Sequence, residues 1–204
     1  MRLLFILFIF TSFCFAQVKE YKKNDFRLDL KLPHINHLYL NPNKKFKDNQ
    51  IGFHGWGIGF EYSYGKKHFV ETSASFILTF HLPFPIHIDS EYTKTLLSYY
   101  FSMTNNCVRN RFTFGYGINY AVNIRSEIYR NLSLEDRPLP ENTFYANRNL
   151  GITFNSYYRA TNSLHIGIIY RPSLINLNNG IRSIYEQLIS FELNWKTKLF
   201  NFKK

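Results

Sequence analysis

The sequence is poor in cysteine, with only two in 204 residues. Cys14 lies in an N-terminal segment that a mature chain would not keep, which leaves Cys107 as the single thiol. A single thiol excludes an internal disulfide, and with it the small secreted domains that disulfides stabilise. We interpret Cys107 as a tolerated turn residue, with pairing to another chain as the alternative.

The sequence also lacks an apolar run that could form a transmembrane helix. The N-terminal run covers only residues 3–10, whereas a membrane-spanning helix needs about 20 residues. Arg2 precedes this run, and the small residue Ala16 follows it. This pattern predicts a secretory signal peptide over residues 1–16 and a mature domain over residues 17–204. A lipid anchor at Cys14 is a weaker alternative, because the preceding residue is the bulky Phe13.

Acidic residues are few compared with basic ones, 14 against 25, which gives a formal net charge of +11. No glycine-rich phosphate loop, zinc-spaced Cys/His set or nucleic-acid-binding signature accompanies this charge. A basic exported protein meets anionic lipid head groups or phosphorylated glycolipid rather than nucleic acid. We therefore expect lipids and glycolipid as partners, and no cofactor or metal.

The sequence is rich in strict alternation of large apolar residues with small or polar ones. Over residues 111–124 one series is Phe112, Phe114, Tyr116, Ile118, Tyr120, Val122 and Ile124, and the other is Arg111, Thr113, Gly115, Gly117, Asn119, Ala121 and Asn123. A period of two predicts a strand whose two faces lie in different environments.

The same alternation recurs along the chain and predicts eight strands. They cover residues 26–32, 52–64, 68–80, 92–103, 111–124, 150–159, 164–175 and 186–199. Long connections, as at 81–91, alternate with short ones, as at 65–67. The strand count rises to ten if residues 34–40 and part of 125–147 form further strands.

The composition of the two faces distinguishes a soluble sheet from a membrane barrel. In a soluble sandwich the apolar face is covered by a second sheet, and strands commonly have five or six residues. Here seven of the eight predicted strands have ten to fourteen residues, and the strands carry Phe, Tyr, Trp and Ile on one face. About 9 to 11 residues cross a bilayer at a tilt, so lipid is the better environment for that face. A soluble periplasmic lipocalin-like barrel remains the alternative fold.

The chain resembles the small outer-membrane β-barrel proteins of Gram-negative bacteria, with an eight-stranded, OmpA- and OmpX-like architecture. The resemblance rests on the signal, the alternation and the loop lengths, and it implies an all-β, closed antiparallel transmembrane barrel. It also implies that the termini and the turns at 65–67, 104–110 and 160–163 face the periplasm. One departure is that Lys203 and Lys204 follow Phe202, where such chains usually end on an aromatic residue.

An eight-stranded barrel has an interior that side chains just fill. We therefore expect a packed polar interior in which charges pair, because a buried unpaired charge is costly. The predicted interior network comprises Arg27, Asp29, Lys31, Glu61, Glu71, Arg111, Arg159, Arg171, Glu192 and Lys196. Basic residues also gather at the predicted periplasmic rim, where anionic head groups would attract them. They are Lys19, Lys22, Lys23, Lys66, Lys67, Arg109, Lys203 and Lys204.

The loop at 81–91 contains the residue types of a nucleophilic site. The candidates are His81, His87, Asp89 and Ser90, with Glu91 beside them and His34 and His37 at the far end of the first strand. An outer-membrane acyltransferase or deacylase is the enzyme alternative that they suggest. Their spacing fits no standard metal site. The other interpretation is a solvated loop that Pro83 and Pro85 stiffen.

The sequence thus predicts an integral outer-membrane β-barrel with a structural or accessory role. A subunit of a larger outer-membrane complex is one form of that role. The alternatives are the lipid-modifying enzyme and the soluble lipocalin-like binding barrel. Residues 125–147 carry nearly balanced charge, which favours a self-paired flap over a docking surface for another protein.

Overall fold

The computed structural model describes residues 21–41, 48–80, 92–129, 141–178 and 180–202. These residues form eight strands, each hydrogen-bonded antiparallel to the next, and the last strand pairs with the first to close a barrel. The strands are β1 Asp25–Leu40, β2 Asp48–Tyr62, β3 His68–Phe80, β4 Tyr92–Arg109, β5 Phe112–Tyr129, β6 Thr143–Arg159, β7 Leu164–Asn176 and β8 Arg182–Asn201. The predicted all-β, eight-stranded closed barrel is confirmed. Within the described ranges, no helix has the length and apolarity needed to cross a membrane.

The strand count is eight rather than ten because the suspected extra segments extend neighbouring strands. Residues 34–40 continue β1 past Pro33, where a register shift against β8 accommodates the proline. Proline has no amide hydrogen for the ladder, so a bulge is a position where a strand tolerates it. Residues 125–129 complete β5, and residues 143–147 begin β6.

The predicted turn at 104–110 is wrong, because β4 continues through Arg109. Its polar residues suggested a loop, yet Thr104 and Asn106 are buried and belong to the strand. A polar interior makes polar residues compatible with a strand position. The turn itself contracts to Asn110 and Arg111, and Asn110 has a positive φ of 56°. Asparagine tolerates this left-handed conformation better than most residues.

The barrel has two distinct ends. At one end, which we call the short-turn end, lie the connections at 63–67, 110–111 and 160–163. Both termini of the described chain also lie there, because the Phe202 amide donates to the Asn24 carbonyl over 3.0 Å. At the other end, which we call the long-loop end, β1, β3, β5 and β7 end and β2, β4, β6 and β8 begin.

The large apolar side chains face outward. Trp56, Phe101, Phe114, Tyr116 and Ile118 are each more than 50% exposed and come from β2, β4 and β5. Alternate positions on the same strands are buried: Gly57 on β2, Ser102 on β4 and Thr113 on β5. The barrel therefore has an apolar outer surface and places its polar side chains inside, which is the reverse of a water-soluble protein.

The interior contains an apolar layer as well as polar ones. The layer lies toward the long-loop end and consists of Leu38, Leu40, Ile77, Leu96, Tyr100, Ala121 and Leu188. A second, smaller apolar cluster of Tyr21, Phe69 and Val108 lies at the short-turn end. The expectation of a polar interior therefore needs correction at these two levels. Alternation assigns a residue to the inner face. It does not show which residues of the other strands lie at the same level along the barrel axis.

Candidate functional site

A cluster of charged side chains occupies the interior between the two apolar clusters. Its residues come from adjacent strands. In the backbone pairing of β1 with β8, Asp29 lies opposite Lys196 and Lys31 lies opposite Asn194. The Nζ atoms of Lys196 and Lys31 lie 3.7 and 3.8 Å from Oδ2 of Asp29. Lys196 also donates to Glu61 on β2, and Lys31 donates to Glu71 on β3. Five charges from four strands thus form one network.

Three carboxylates of this network, those of Asp29, Glu61 and Glu71, have oxygens within 4.8 Å of one another. Such a group has the ligand type that a divalent cation prefers. Here, however, the ammonium groups of Lys31 and Lys196 contact the same carboxylates. The lysines supply compensating positive charge, so these five side chains form a charge-paired network.

Arg171 on β7 connects the charged network to the apolar layer. Its side chain is fully buried, and Nη1 lies 4.0 Å from a carboxylate oxygen of Glu192. Its other terminal nitrogen donates to the Ser75 hydroxyl over 3.3 Å, and its guanidinium lies 5.0 Å from the ring centre of Tyr100. Glu192 in turn accepts a hydrogen bond of 2.9 Å from the Tyr157 hydroxyl. These contacts tie β3, β4, β6 and β8 to one buried cation.

Tyr21, which precedes β1, is buried at the short-turn end. Its ring stacks on the Phe69 ring with the ring centres 5.5 Å apart, and the Arg27 guanidinium lies 3.7 Å from the Tyr21 ring centre. The Arg159 guanidinium lies 5.2 Å from the same ring centre. Burial raises the pKa of the Tyr21 hydroxyl, so this group stays neutral at physiological pH. Its hydroxyl lies 3.5 Å from Nε2 of His165.

Polar side chains return at the long-loop end, beyond the apolar layer. The Glu186 carboxylate accepts hydrogen bonds from the side-chain amides of Asn147 and Asn149, over 3.1 and 2.6 Å, and from that of Asn123. The Asn41 backbone amide is a fourth donor, at 3.1 Å. Asp48, the first residue of β2 at the same end of the barrel, is paired with Lys94 and Arg125. The long-loop end thus contains one carboxylate held by neutral amides and another held by cations.

The predicted interior residues fall into two groups. Arg27, Asp29, Lys31, Glu61, Glu71, Arg159, Arg171, Glu192 and Lys196 are all buried. Arg111 differs, because it lies in the turn between β4 and β5 and is only partly buried. One nitrogen of its guanidinium lies 3.4 Å from the Tyr158 hydroxyl. A residue at the end of an alternating segment can belong either to the strand or to the adjoining turn, and alternation alone does not distinguish these positions.

The candidate catalytic residues are not brought together by the described part of the chain. His81, His87, Asp89 and Ser90 lie outside the described residues. His34 is exposed and His37 is half-buried on β1. His37 alternates with the buried Asn36 and Leu38, which places it on the outer face. The acyltransferase hypothesis therefore has no geometric support from His34 or His37.

Sequence reasoning missed several interior residues. Tyr21 lies before the first predicted strand, and Glu186 is the first residue of the last predicted strand. Asn123, Asn147 and Asn149 occupy inward positions on β5 and β6. Their spacing by two within β6 is a signal that could have indicated an inner polar row. The convergence of all three on Glu186 depends on the barrel closing, which no single segment encodes.

Comparisons with known proteins identify the fold. No known family profile matches the chain, and no curated protein sequence matches it. Among solved structures, Ail, the attachment invasion locus protein of Yersinia pestis, matches with a TM-score of 0.56 at 6% identity, over 86% of this chain and 100% of Ail. Ail in complex with the heparin analogue sucrose octasulfate matches with a TM-score of 0.51 at 8% identity, over the same shares of the two chains.

A further match is the Neisserial surface protein A, NspA, with a TM-score of 0.48 at 12% identity, covering 85% of this chain and 97% of NspA. At such low identities the likeness concerns the fold alone. The fold is that of the small eight-stranded outer-membrane β-barrels, as the alternation and loop lengths predicted.

Proposed function

We propose that this chain is an integral outer-membrane β-barrel protein of a Gram-negative bacterium, exported through a signal peptide at residues 1–16, with a structural or accessory role. The observation that carries this proposal is the reversal of polarity across the barrel wall. Ile118, Tyr116 and Trp56 are 68%, 64% and 61% exposed, whereas Asp29, Glu61 and Arg171 have no exposed surface. In water, exposing so much apolar area would cost about 25 cal/mol per Å².

A bilayer removes this cost, because hydrocarbon covers the outer face. The closed ladder satisfies the second demand of a bilayer, that every backbone N–H and C=O be paired within the protein. Strands of 13 to 20 residues exceed the roughly 9 to 11 that span the hydrocarbon core. The barrel is therefore long enough to cross the membrane and to project from it.

The interior favours a structural or accessory role over that of a pore. Charged residues fill the middle of the barrel, and the apolar layer lies across the interior above them. A continuous path for ions would need a wetted interior at every height. We propose accordingly that the barrel does not conduct, and that its interactions take place at its outer wall and its two ends.

The proposed orientation places the short-turn end in the periplasm and the long loops outside. The two ends of the described chain lie together at the short-turn end, as expected if both termini face one compartment. The proposed partners are outer-membrane lipids and glycolipid, which the basic character of the chain favours. A role as a subunit beside a larger outer-membrane complex is the finer form of this proposal.

Fractionation of cells that express the tagged full chain tests the proposal. We expect the protein in the outer-membrane fraction, released only by detergent, with a gel mobility that changes on boiling. Reconstitution into planar bilayers is expected to give no stepwise conductance. Recovery in the soluble periplasmic fraction would overturn the membrane assignment and favour the lipocalin-like alternative.

Copurification tests the accessory role separately. Mild-detergent purification followed by mass spectrometry is expected to recover an outer-membrane protein in stoichiometric amount if the chain is a complex subunit. Isolation of the barrel without a partner protein would contradict the subunit role. An unchanged lipid composition of the outer membrane after deletion of the gene would contradict the enzyme alternative. Both results together would leave the purely structural role.

A further inference from the structure

A cavity of about 420 Å³ opens at the short-turn end of the barrel. Its lining combines the turn between β2 and β3, the turn between β4 and β5, and the last residue of β6. The lining residues are Tyr21, Lys66, Lys67, Val108, Asn110, Arg111 and Arg159. Four of these seven side chains are cationic, and none is a carboxylate. The cavity therefore has the charge of an anion-binding site.

Arg159 is the buried cation of this cavity, with only 5% of its surface exposed. Its Nε has no hydrogen-bond partner, and its Nη2 makes one long contact of 3.4 Å with the Asn162 side chain. The guanidinium offers five N–H donors in a fixed fork, which suits it to a planar or tetrahedral oxyanion. Most of these donors are unused by the contacts of Arg159.

The other buried cations of the barrel have carboxylate partners. Arg27 lies 3.5 Å from Asp25, Arg171 lies 4.0 Å from Glu192, and Lys196 contacts both Asp29 and Glu61. Among the residues that the structure describes, no carboxylate lies within 4.0 Å of the Arg159 guanidinium. The Arg159 guanidinium lies 5.2 Å from the Tyr21 ring centre but has no acidic counter-charge among the described residues, and a buried charge that lacks one is costly.

From this geometry we infer that the cavity binds a phosphate-bearing anion, with Arg159 at its base and Lys66 and Lys67 at its rim. Arg159 would pair with two phosphate oxygens, and the flexible lysines would contact the remaining ones. Four cations match a phosphate, with up to two negative charges, better than a single carboxylate. The volume admits a head group and not only the bare ion, and Val108 provides an apolar wall for its carbon atoms.

The phosphate could be supplied by a lipid head group of the adjacent leaflet or by a soluble phosphate ester. The experiment separates the two sources. The purified full chain in a non-ionic, phosphate-free detergent is titrated with inorganic phosphate and with glycerol 3-phosphate, and binding is followed by calorimetry and by ³¹P line broadening. In parallel, native mass spectrometry compares retention of phosphatidic acid and phosphatidylglycerol with that of phosphatidylcholine.

We expect saturable binding that weakens as salt is added, because the contacts are ionic. The R159Q variant is expected to bind about tenfold more weakly or worse, which is the loss typical of a charge-assisted hydrogen bond. The matched control is R148Q, the same change on the same strand, at an exposed position near the long-loop end. It should bind as the unmodified protein does.

The double variant K66Q/K67Q provides a test that does not depend on a buried substitution. Both lysines are exposed, so the barrel should fold, and binding should weaken about three- to tenfold. Retention of anionic lipid without binding of the soluble probes would identify the lipid as the source, and binding of glycerol 3-phosphate would identify a soluble ester. Both results support the site.

The inference is overturned if the unmodified protein binds neither soluble probe saturably and retains anionic and zwitterionic lipid equally. It is also overturned if R159Q and K66Q/K67Q both bind as the unmodified protein does. The titration in detergent does not require the protein to reside in a membrane. Failure of the phosphate site and failure of the outer-membrane assignment are therefore distinguishable.

Discussion

Lys196 on β8 and Asp29 on β1 occupy directly paired positions across the seam that closes the barrel, and the lysine Nζ lies 3.7 Å from the Asp29 carboxylate. Glu61 on β2 contacts the same ammonium group. One cation thus connects the last strand with the first two. The ring of backbone hydrogen bonds is reinforced at its seam by a buried ionic contact.

Replacement of Lys196 by methionine should destabilise the barrel strongly. Its carboxylate partners, Asp29 and Glu61, have no exposed surface and would lose a counter-ion, at a cost of about 3–5 kcal/mol. The free energy of unfolding can be measured by urea titration of the detergent-solubilised protein, followed by its gel mobility. The control is K198M, two residues along the same strand.

Lys198 is a suitable control because its side chain is 45% exposed and pairs with Asp25 near the barrel end. Exposed ion pairs contribute about 0–1 kcal/mol. Equal losses of stability for K196M and K198M would contradict the assignment of Lys196 to a buried charge network.

The E186Q variant should lose about 1–3 kcal/mol of stability, which is the cost of leaving a buried polar group unsatisfied. Glu186 accepts from four N–H donors. A glutamine side chain would direct its own NH₂ group at some of these donors, so at least one hydrogen bond would be lost. Urea titration should show the loss, while E141Q, at an exposed position, should be neutral. A neutral E186Q would mean that water replaces the amide donors.

Arginine on the outer face should destabilise the barrel according to depth. Ile118 lies in the middle part of β5, and Phe112 begins the same strand beside the short turn. In a bilayer, I118R should cost about 2–4 kcal/mol and F112R about 0–1 kcal/mol. Unfolding from lipid vesicles measures both. If the outer face were in water, I118R would be neutral and the two variants would not differ.

The G117A variant should be destabilised by backbone crowding. A Cβ atom at Gly117 would lie 1.9 Å from the Met103 carbonyl oxygen on β4, so the paired strands would have to separate. Overpacking of this kind costs about 1–3 kcal/mol. The control is G65A in the β2–β3 turn, where a Cβ would meet nothing closer than 3.8 Å. A loss for G65A as large as for G117A would show that glycine flexibility, rather than close strand approach, is responsible.

The closed eight-stranded fold could be predicted from the sequence because alternation is a local property. Within each strand, apolar residues face outward and polar or small residues face the interior. Ile118 and Phe101 are exposed on the outer face, whereas their neighbours Asn119 and Ser102 are buried inside. Strand ends were less predictable. The polar residues from Thr104 to Arg109 suggested a turn, because a polar face is compatible with both a solvated loop and a polar interior.

The arrangement inside the barrel could not be predicted, because it depends on register between strands. Leu38 and Leu188 are adjacent through the β1–β8 pairing, and together with Ile77 they form a layer that no single strand indicates. Likewise, Arg111 and Arg159 belong to one predicted set, yet one lies in a turn and the other is buried in the wall of the same cavity. Charge and alternation identify the residues of the inner face. The position of each along the barrel axis, and the side chains that it contacts, are set only when the barrel closes.

The seam between β1 and β8 also dictates an order of events during biosynthesis. The hydrogen bond between Asn201 and Asp25 joins residues 176 positions apart in the chain, so loop-closure entropy makes this pairing slow to form. Until β8 has been synthesised and docked, β1 and β7 each present an unpaired edge that hydrocarbon cannot tolerate. The edge of β1 can be covered only once β8, the last strand of the chain, has formed. Closure of the barrel is therefore a late event in its biosynthesis.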